Sequence, residues 1–369
     1  MRKQQYYRSF DILKFVCAII IACVYHYKND FYNVTLFDNI PVLRELTSYG
    51  YVLVEIFFII SGFLFFKRYF KKIKEQKLSF TSFMKKRYSR LIFVSGLTII
   101  LMFLLEQFYY LKNGSYWLCY SNDLGSLILQ LIGIQYWVNA YTLSLNNVVW
   151  YISVLLFCYI LFFYLSRLVI KKKNIFIFLI PFVISLLVQN YSLNVPLLNY
   201  DMTRGIISFS VGVLLGCFTE NLKNKKVIFI FSFSNLLLVS LCYALLGRQI
   251  LGELIFLNVI VYPIIILILI CIDDKLKFIS SKFTKYLGNI SFGIYLWNLP
   301  IQLTTVLVKQ QFNLNFNYNS VNFLLSQIII HILVAVLSYH LFEKKLIPIF
   351  EKMVSKFINY LQKTNEIIT

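Results

Sequence analysis

Hydrophobic positions in this chain come in long blocks, and most of the polar positions between them are short basic runs. A bilayer core about 30 Å thick takes about 20 apolar residues as a helix. Eleven segments meet or approach that length, near 10–28, 49–66, 91–110, 124–138, 147–168, 174–190, 204–218, 227–246, 250–272, 286–308 and 321–342. The pattern predicts an all-α polytopic membrane protein. The fourth segment, DLGSLILQLIGIQYW, is short and contains Gly125 and Gly133, so hydropathy alone leaves open whether it crosses.

Charge resolves that point. With a cytoplasmic N-terminus and a fourth segment that does not cross, the inner tails and loops (1–9, 67–90, 167–173, 220–226, 273–285 and 344–369) hold 29 of the 36 Lys and Arg residues. Outside, or at outer ends, lie only Lys28, Arg44, Lys112, Arg204, Arg248 and Lys309, with Lys14 inside the first helix. Basic loops stay on the cytoplasmic side. The expectation is therefore about ten transmembrane helices with both termini cytoplasmic, and a short re-entrant or interfacial helix near 124–138. No polar stretch approaches the length of a soluble domain, so residues 1–369 read as one integral-membrane domain.

Composition agrees: 59% of residues are hydrophobic and 14% charged, which excludes an ordinary soluble domain. The formal charge of +20 does not mark a nucleic-acid binder, because the basic residues are spread between apolar segments rather than gathered on a soluble domain. The seven cysteines fall singly, without Cys-x-x-Cys or metal spacing, and read as small packing residues. The N-terminus has the basic flank and apolar stretch of a signal peptide but no Ala-x-Ala-like cleavage site. A retained first helix is expected.

Ionisable groups within spans are costly and are functional candidates by default. Here they are Asp11, Lys14, His26, Glu55, Glu106 and Arg204. The topology puts Asp11 and Lys14 near the cytoplasmic end of the first helix. It puts His26, Glu55 and Glu106 at similar depths near the outer side. A carboxylate beside His26 would fix the imidazole tautomer and raise its basicity, making an acid/base pair. Alternatively His26, between Tyr25 and Tyr27, is an interfacial anchor, and Glu55 is half of a structural ion pair with Arg204 or Lys28. On the cytoplasmic side Arg87 and Arg90 stand one helical turn apart where the third helix begins. Two guanidiniums on one face make a fork for phosphates, whereas the surrounding basic run is also what a stop-transfer cluster looks like.

Several stretches together resemble the membrane-bound acyltransferase type 3 family, which includes bacterial O-acetyltransferases of O-antigen and exopolysaccharide. They are FDILKFVCAIIIACVYH, VEIFFIISGFLF, RYSR, WYISVLLF (starting at Trp150), TRGIISFSVGVLLG and LGNISFGIYLWNLP, in family order over residues 8–300. The resemblance implies a cell-membrane enzyme that takes an acyl group, usually acetyl, from cytoplasmic acetyl-CoA or another acyl-CoA. The acceptor it implies is a hydroxyl of a lipid-linked or surface glycan, and no metal is involved. It further implies His26 as the catalytic residue, with Lys14, Arg87 and Arg90 holding the CoA phosphates.

Lys14 and His26 are twelve residues apart, about 18 Å along a helix, which a pantetheine arm can bridge. Two departures from the family pattern stand out. Eleven residues intervene between Lys14 and His26 where ten are common, leaving the two side chains about 120° apart on a regular helix. Either a local π-type bulge restores the face, or Lys14 does not do what the family Arg does. Asn298 stands where many members have His; it can hydrogen-bond substrate but not take a proton at neutral pH, so acid/base work falls on His26.

Glu55 or Glu106 is the expected orienting partner of His26. Ser61 reads as packing and passage for the acyl arm, because a Ser-Gly pair lets helices approach closely. The aromatic residues of 109–146, from Tyr109 to Tyr141, could stack on sugar faces or form an interfacial belt. Pro181, Pro263 and Pro300 interrupt three helices. The rival class is a saccharide transporter or flippase, which would show repeated discontinuous helices in two halves. No such repeat is visible.

Overall fold

The computed structural model describes residues 6–31, 33–119, 122–138, 145–169, 176–220, 225–246, 256–353 and 356. The expectations placed on Tyr120, Tyr141, Arg248 and the first residues of the 250–272 segment lie outside them. Among the described residues the structure is entirely helical and contains no strand. In chain order the helices are α1 (Arg8–Asp30), α2 (Pro41–Lys74), α3 (Phe80–Asn113), α4 (Leu124–Ile132), α5 (Asn147–Leu168), α6 (Phe176–Asn190), α7 (Tyr200–Phe218), α8 (Lys225–Leu246), α9 (Leu257–Phe278), α10 (Ser281–Leu296), α11 (Asn298–Gln311) and α12 (Val321–Met353). Within the described residues, each of the ten segments expected to cross contains a helix.

Seven of these helices are long and apolar enough to span a bilayer, namely α1, α2, α3, α5, α7, α9 and α12, and the bent pair α10–α11 makes an eighth if taken as one span. The protein is a multi-pass membrane protein. Helix α6 is shorter than these. Helix α4 has nine residues, about 14 Å, too short to cross alone. Its limits follow from capping: Asp123 accepts the Ser126 N–H at the start, and Gly133, with φ of 77°, closes it in a left-handed turn.

Among the described residues four helices carry a π turn, at Ile21–His26, Phe66–Phe70, Leu257–Val261 and Tyr339–Glu343. The first lies between Lys14 and His26. A π turn absorbs one residue without advancing the helix face. Eleven intervening residues therefore turn like ten, and of the two alternatives left open for this spacing the π bulge is present.

The break between α10 and α11, a bend of 53°, follows from Pro300. Proline lacks the N–H that would bond the carbonyl four residues earlier, at Leu296, and its ring crowds that carbonyl. Asn146 Nδ2 donates to the Leu296 carbonyl instead, at 3.1 Å.

The described residues pack as two units. The first comprises Met1–Ala18, Tyr49–Lys77 and Leu161–Ser291. Its centre is the crossing of α2 and α7. A Cβ on Gly62 would overlap the Phe209 carbonyl, and one on Gly212 would overlap the Ile59 carbonyl. Backbones so close exclude any side chain, and Phe63, Ile59, Val211 and Ile266 fill the surroundings.

The second unit comprises Ile19–Ser48, Leu78–Ile160 and Phe292–Thr369. Here Tyr27, Phe31, Val34 and Phe37 form an aromatic-rich core just beyond the end of α1, with Tyr318 and Phe323 against it. The Tyr27 hydroxyl donates to the Tyr318 carbonyl at 2.8 Å, and Lys28 pairs with Asp38 at 3.0 Å.

Candidate active site

His26 ends the π turn of α1 and is followed by one α-turn, Tyr27–Asp30. Asp30, four residues on, lies on the same face, and its Oδ2 is 2.9 Å from His26 Nδ1. A carboxylate only accepts, so Nδ1 carries the hydrogen that faces Asp30, and Nε2 is the nitrogen through which the neutral ring can take up a proton. The side chains are 17% and 10% exposed. The pair is thus sheltered but reachable.

The sequence pointed to Glu55 or Glu106 as the orienting carboxylate, and the structure gives both other partners. Glu55 is fully enclosed, and its Oε1 accepts from Arg204 Nε at 2.7 Å and lies 2.6 Å from Nη2. This is the ion pair held open as the alternative. Arg204 also reaches Asp201 at 3.1 Å and lies over the rings of Tyr51 and Tyr200. Glu106, also fully enclosed, accepts the backbone N–H groups of Trp117 (2.8 Å) and Leu118 (3.2 Å), tying the loop after α3 to that helix. Asp30 was passed over because the first span was drawn to end at residue 28. The i, i+4 spacing from His26 was the available signal.

Lys14 is paired with Asp11 at 2.5 Å, and the Tyr6 hydroxyl donates to the same carboxylate. Arg87 donates to the Phe83 carbonyl one turn earlier and lies 4.0 Å from the centre of the Phe83 ring. Arg90 is about half exposed and 3.7 Å from the buried Glu343 at the end of the α12 π turn. Ser61 is half-buried beside Gly62 at the α2–α7 crossing. Trp150 starts the regular part of α5, its ring tilted against that of Tyr136 with centroids 6.4 Å apart.

Asn298, the first residue of α11, is fully buried. Beside it is a residue that sequence reasoning missed. His331 of α12 is buried, with Nδ1 2.7 Å from the Gln327 carbonyl and Nε2 3.2 Å from Asn298 Oδ1. It had been absorbed into a uniformly apolar span. The same two helices, with Leu101, line a cavity of about 470 Å³ that is apolar apart from Trp297, Gln327 and a few hydroxyls. Among the described residues no group of three or more His, Cys, Asp or Glu could hold a metal ion.

A family model described as an acyltransferase domain, the acyltransferase type 3 model, matches residues 7–342. The chain belongs to this acyltransferase family. No curated protein and no solved structure matches it. Nearly the whole of the acyltransferase is covered, so α1 with its π turn, the Arg87–Arg90 pair, α10, α11 and α12 as far as residue 342 fall within the matched domain.

Proposed function

We propose that this acyltransferase moves an acyl group, acetyl foremost, from cytoplasmic acyl-CoA to a hydroxyl of a lipid-linked or surface glycan, with His26 as general base. The observation that carries the reading is the His26–Asp30 pair, an imidazole held through Nδ1 by a carboxylate while its side chain stays 17% exposed. Nε2 takes the proton as the acceptor oxygen bonds to the thioester carbonyl carbon. The carbon–sulfur bond then breaks, and the CoA thiolate leaves with the proton returned by the imidazolium. Asp30 stabilises that cation and keeps the ring in one orientation. General-base help of this kind contributes about 100- to 10,000-fold.

The donor's phosphates fall to Arg87, Arg90 and Lys14. Arg90 supports this best, being half exposed with only a long contact to Glu343. The π turn supports Lys14 as the counterpart of the family's basic residue, because it returns Lys14 to the face of His26 along α1. Ten crossings with both termini cytoplasmic, in a bacterial cell membrane, complete the proposal; they rest on the distribution of Lys and Arg. Glu55, Arg204, Glu106, Ser61 and Trp150 shape the scaffold around the reaction.

The test is transfer of label from radiolabelled acetyl-CoA to glycan by purified protein. Wild type should label the glycan and His26→Ala should lose at least about 100-fold while still reaching the membrane. Undiminished labelling by His26→Ala refutes the base assignment, and glycan movement without label refutes the enzyme.

A further inference from the structure

Beyond His26 and Asp30, the second unit holds a run of fully buried polar side chains that the reaction above does not use. His331 is fixed at both ring nitrogens, by the Gln327 carbonyl at 2.7 Å and by the Asn298 side chain at 3.2 Å. Asn298 Oδ1 is in turn 3.0 Å from Gln302 Nε2, and that nitrogen is 3.4 Å from the carbonyl of Ala22. Ala22 lies in the π turn that His26 ends. Asn298 and Gln302 are wholly enclosed and His331 is 1% exposed.

Burying so many polar groups inside a membrane helix pair costs free energy unless each is matched. These are on α11 and α12, and α11 reaches the π turn through Gln302. A π turn displaces the i to i−4 ladder and frees backbone acceptors. Gln302 answers one of them. Helix α12 itself packs against the π turn, and His331 lies within electrostatic reach of His26.

We propose that His331 is a positioning residue for acyl transfer: with Asn298 and Gln302 it forms a buried chain that ends on the π turn and holds the His26 ring in its reactive orientation. The proposal rests on His26 as the base. The Gln327 carbonyl only accepts, so His331 Nδ1 carries hydrogen. The direction of the next link follows the ring's charge. A doubly protonated ring donates to Asn298 Oδ1 and keeps every link, whereas a neutral one accepts from Asn298 Nδ2 once that amide turns over, which gives up the Asn298–Gln302 bond and leaves Gln302 held to the π turn by its bond to the Ala22 carbonyl. In either state the His331–Asn298 bond ties α12 to α11, and Gln302, one turn along α11, bonds the Ala22 carbonyl in the π turn. His26 therefore has two supports: Asp30 fixes the tautomer and His331 fixes the backbone beneath it.

The experiment is steady-state transfer from acetyl-CoA by His331→Phe, Gln302→Met and the exchange variant His331→Asn with Asn298→His. His331→Phe and Gln302→Met should each lower kcat at least about tenfold with KM for acetyl-CoA within about twofold of wild type. The exchange variant, which moves the imidazole across the same contact, should recover most of the loss. If His331→Phe fails to reach the membrane, Gln302→Met decides the matter alone. Wild-type kcat in Gln302→Met overturns the proposal, and so does an equal rise in KM with kcat unchanged. His26→Ala is run alongside: if it is inactive while the His331 and Gln302 variants match wild type, only the positioning role is lost. An active His26→Ala removes the base assignment itself.

Discussion

Glu55 and Asp30 are both carboxylates on long apolar helices, and each faces a basic side chain. Their surroundings separate them. Glu55 is fully enclosed and spends Oε1 on a guanidinium that is itself buried and braced by Asp201 and two aromatic rings. Asp30 meets an imidazole that remains 17% exposed and has a nitrogen left over. An arginine in such a pair stays charged throughout and links α2 to α7, whereas an imidazole can take a proton and return it. The first arrangement holds helices in place, and the second does chemistry. Both are carboxylates near the expected outer side of their helices, so the partner and its accessibility tell them apart.

Variants of the first unit should therefore be read out in folding, and variants of the second in rate. The largest effect is expected from Gly212→Leu, whose side chain would occupy the Ile59 backbone. Overpacking costs about 1–3 kcal/mol even where neighbours can shift, and here the neighbour is main chain. The level of monodisperse protein recovered from membranes should fall to near zero. Next comes Glu55→Gln, which leaves Arg204 without its main counter-charge. Breaking a buried pair from one side costs about 3–5 kcal/mol, so thermal denaturation in detergent should move sharply down. A Glu55→Gln protein as stable as wild type but slow in transfer would blur the distinction between the two pairs.

On the side of rate, Arg90→Ala should raise KM for acyl-CoA about tenfold and leave kcat near wild type. A charge-assisted hydrogen bond is worth about 1.5–3 kcal/mol, and Arg90 is exposed enough that its removal leaves the core intact. Glu106→Gln should be the mildest. It weakens the anchoring of the Trp117–Leu118 segment by about 1–3 kcal/mol, visible as faster proteolysis after residue 113 with transfer changed only a few-fold.

The helical segments were legible because membrane spans are written in block hydropathy, which needs no knowledge of contacts. The π turn was half legible, as one of two readings of the surplus residue between Lys14 and His26. What the pattern could not carry was pairing. Depth brought Glu55 and Glu106 level with His26, but each had a nearer claimant: Arg204 for the first, and the backbone of Trp117 and Leu118 for the second. Asp30 was hidden by a boundary drawn two residues too early. His331 was hidden because scattered polar residues in a span that is apolar on average carry no sign of what faces them. The break at Trp297 was half visible in Pro300, although its remedy, the Asn146 side chain on the Leu296 carbonyl, is long-range and has no local signature.

The measurement that bears most directly on the central claim is the rate of acyl transfer by Asp30→Asn at saturating acetyl-CoA, with folding checked by thermal denaturation. The substitution keeps size and a hydrogen-bonding group but removes the charge that stabilises the His26 imidazolium. A correctly folded Asp30→Asn protein should retain KM for acetyl-CoA and lose about 100-fold or more in kcat. A folded Asp30→Asn protein that transfers at the wild-type rate would contradict the assignment of His26 and Asp30 as the reacting pair.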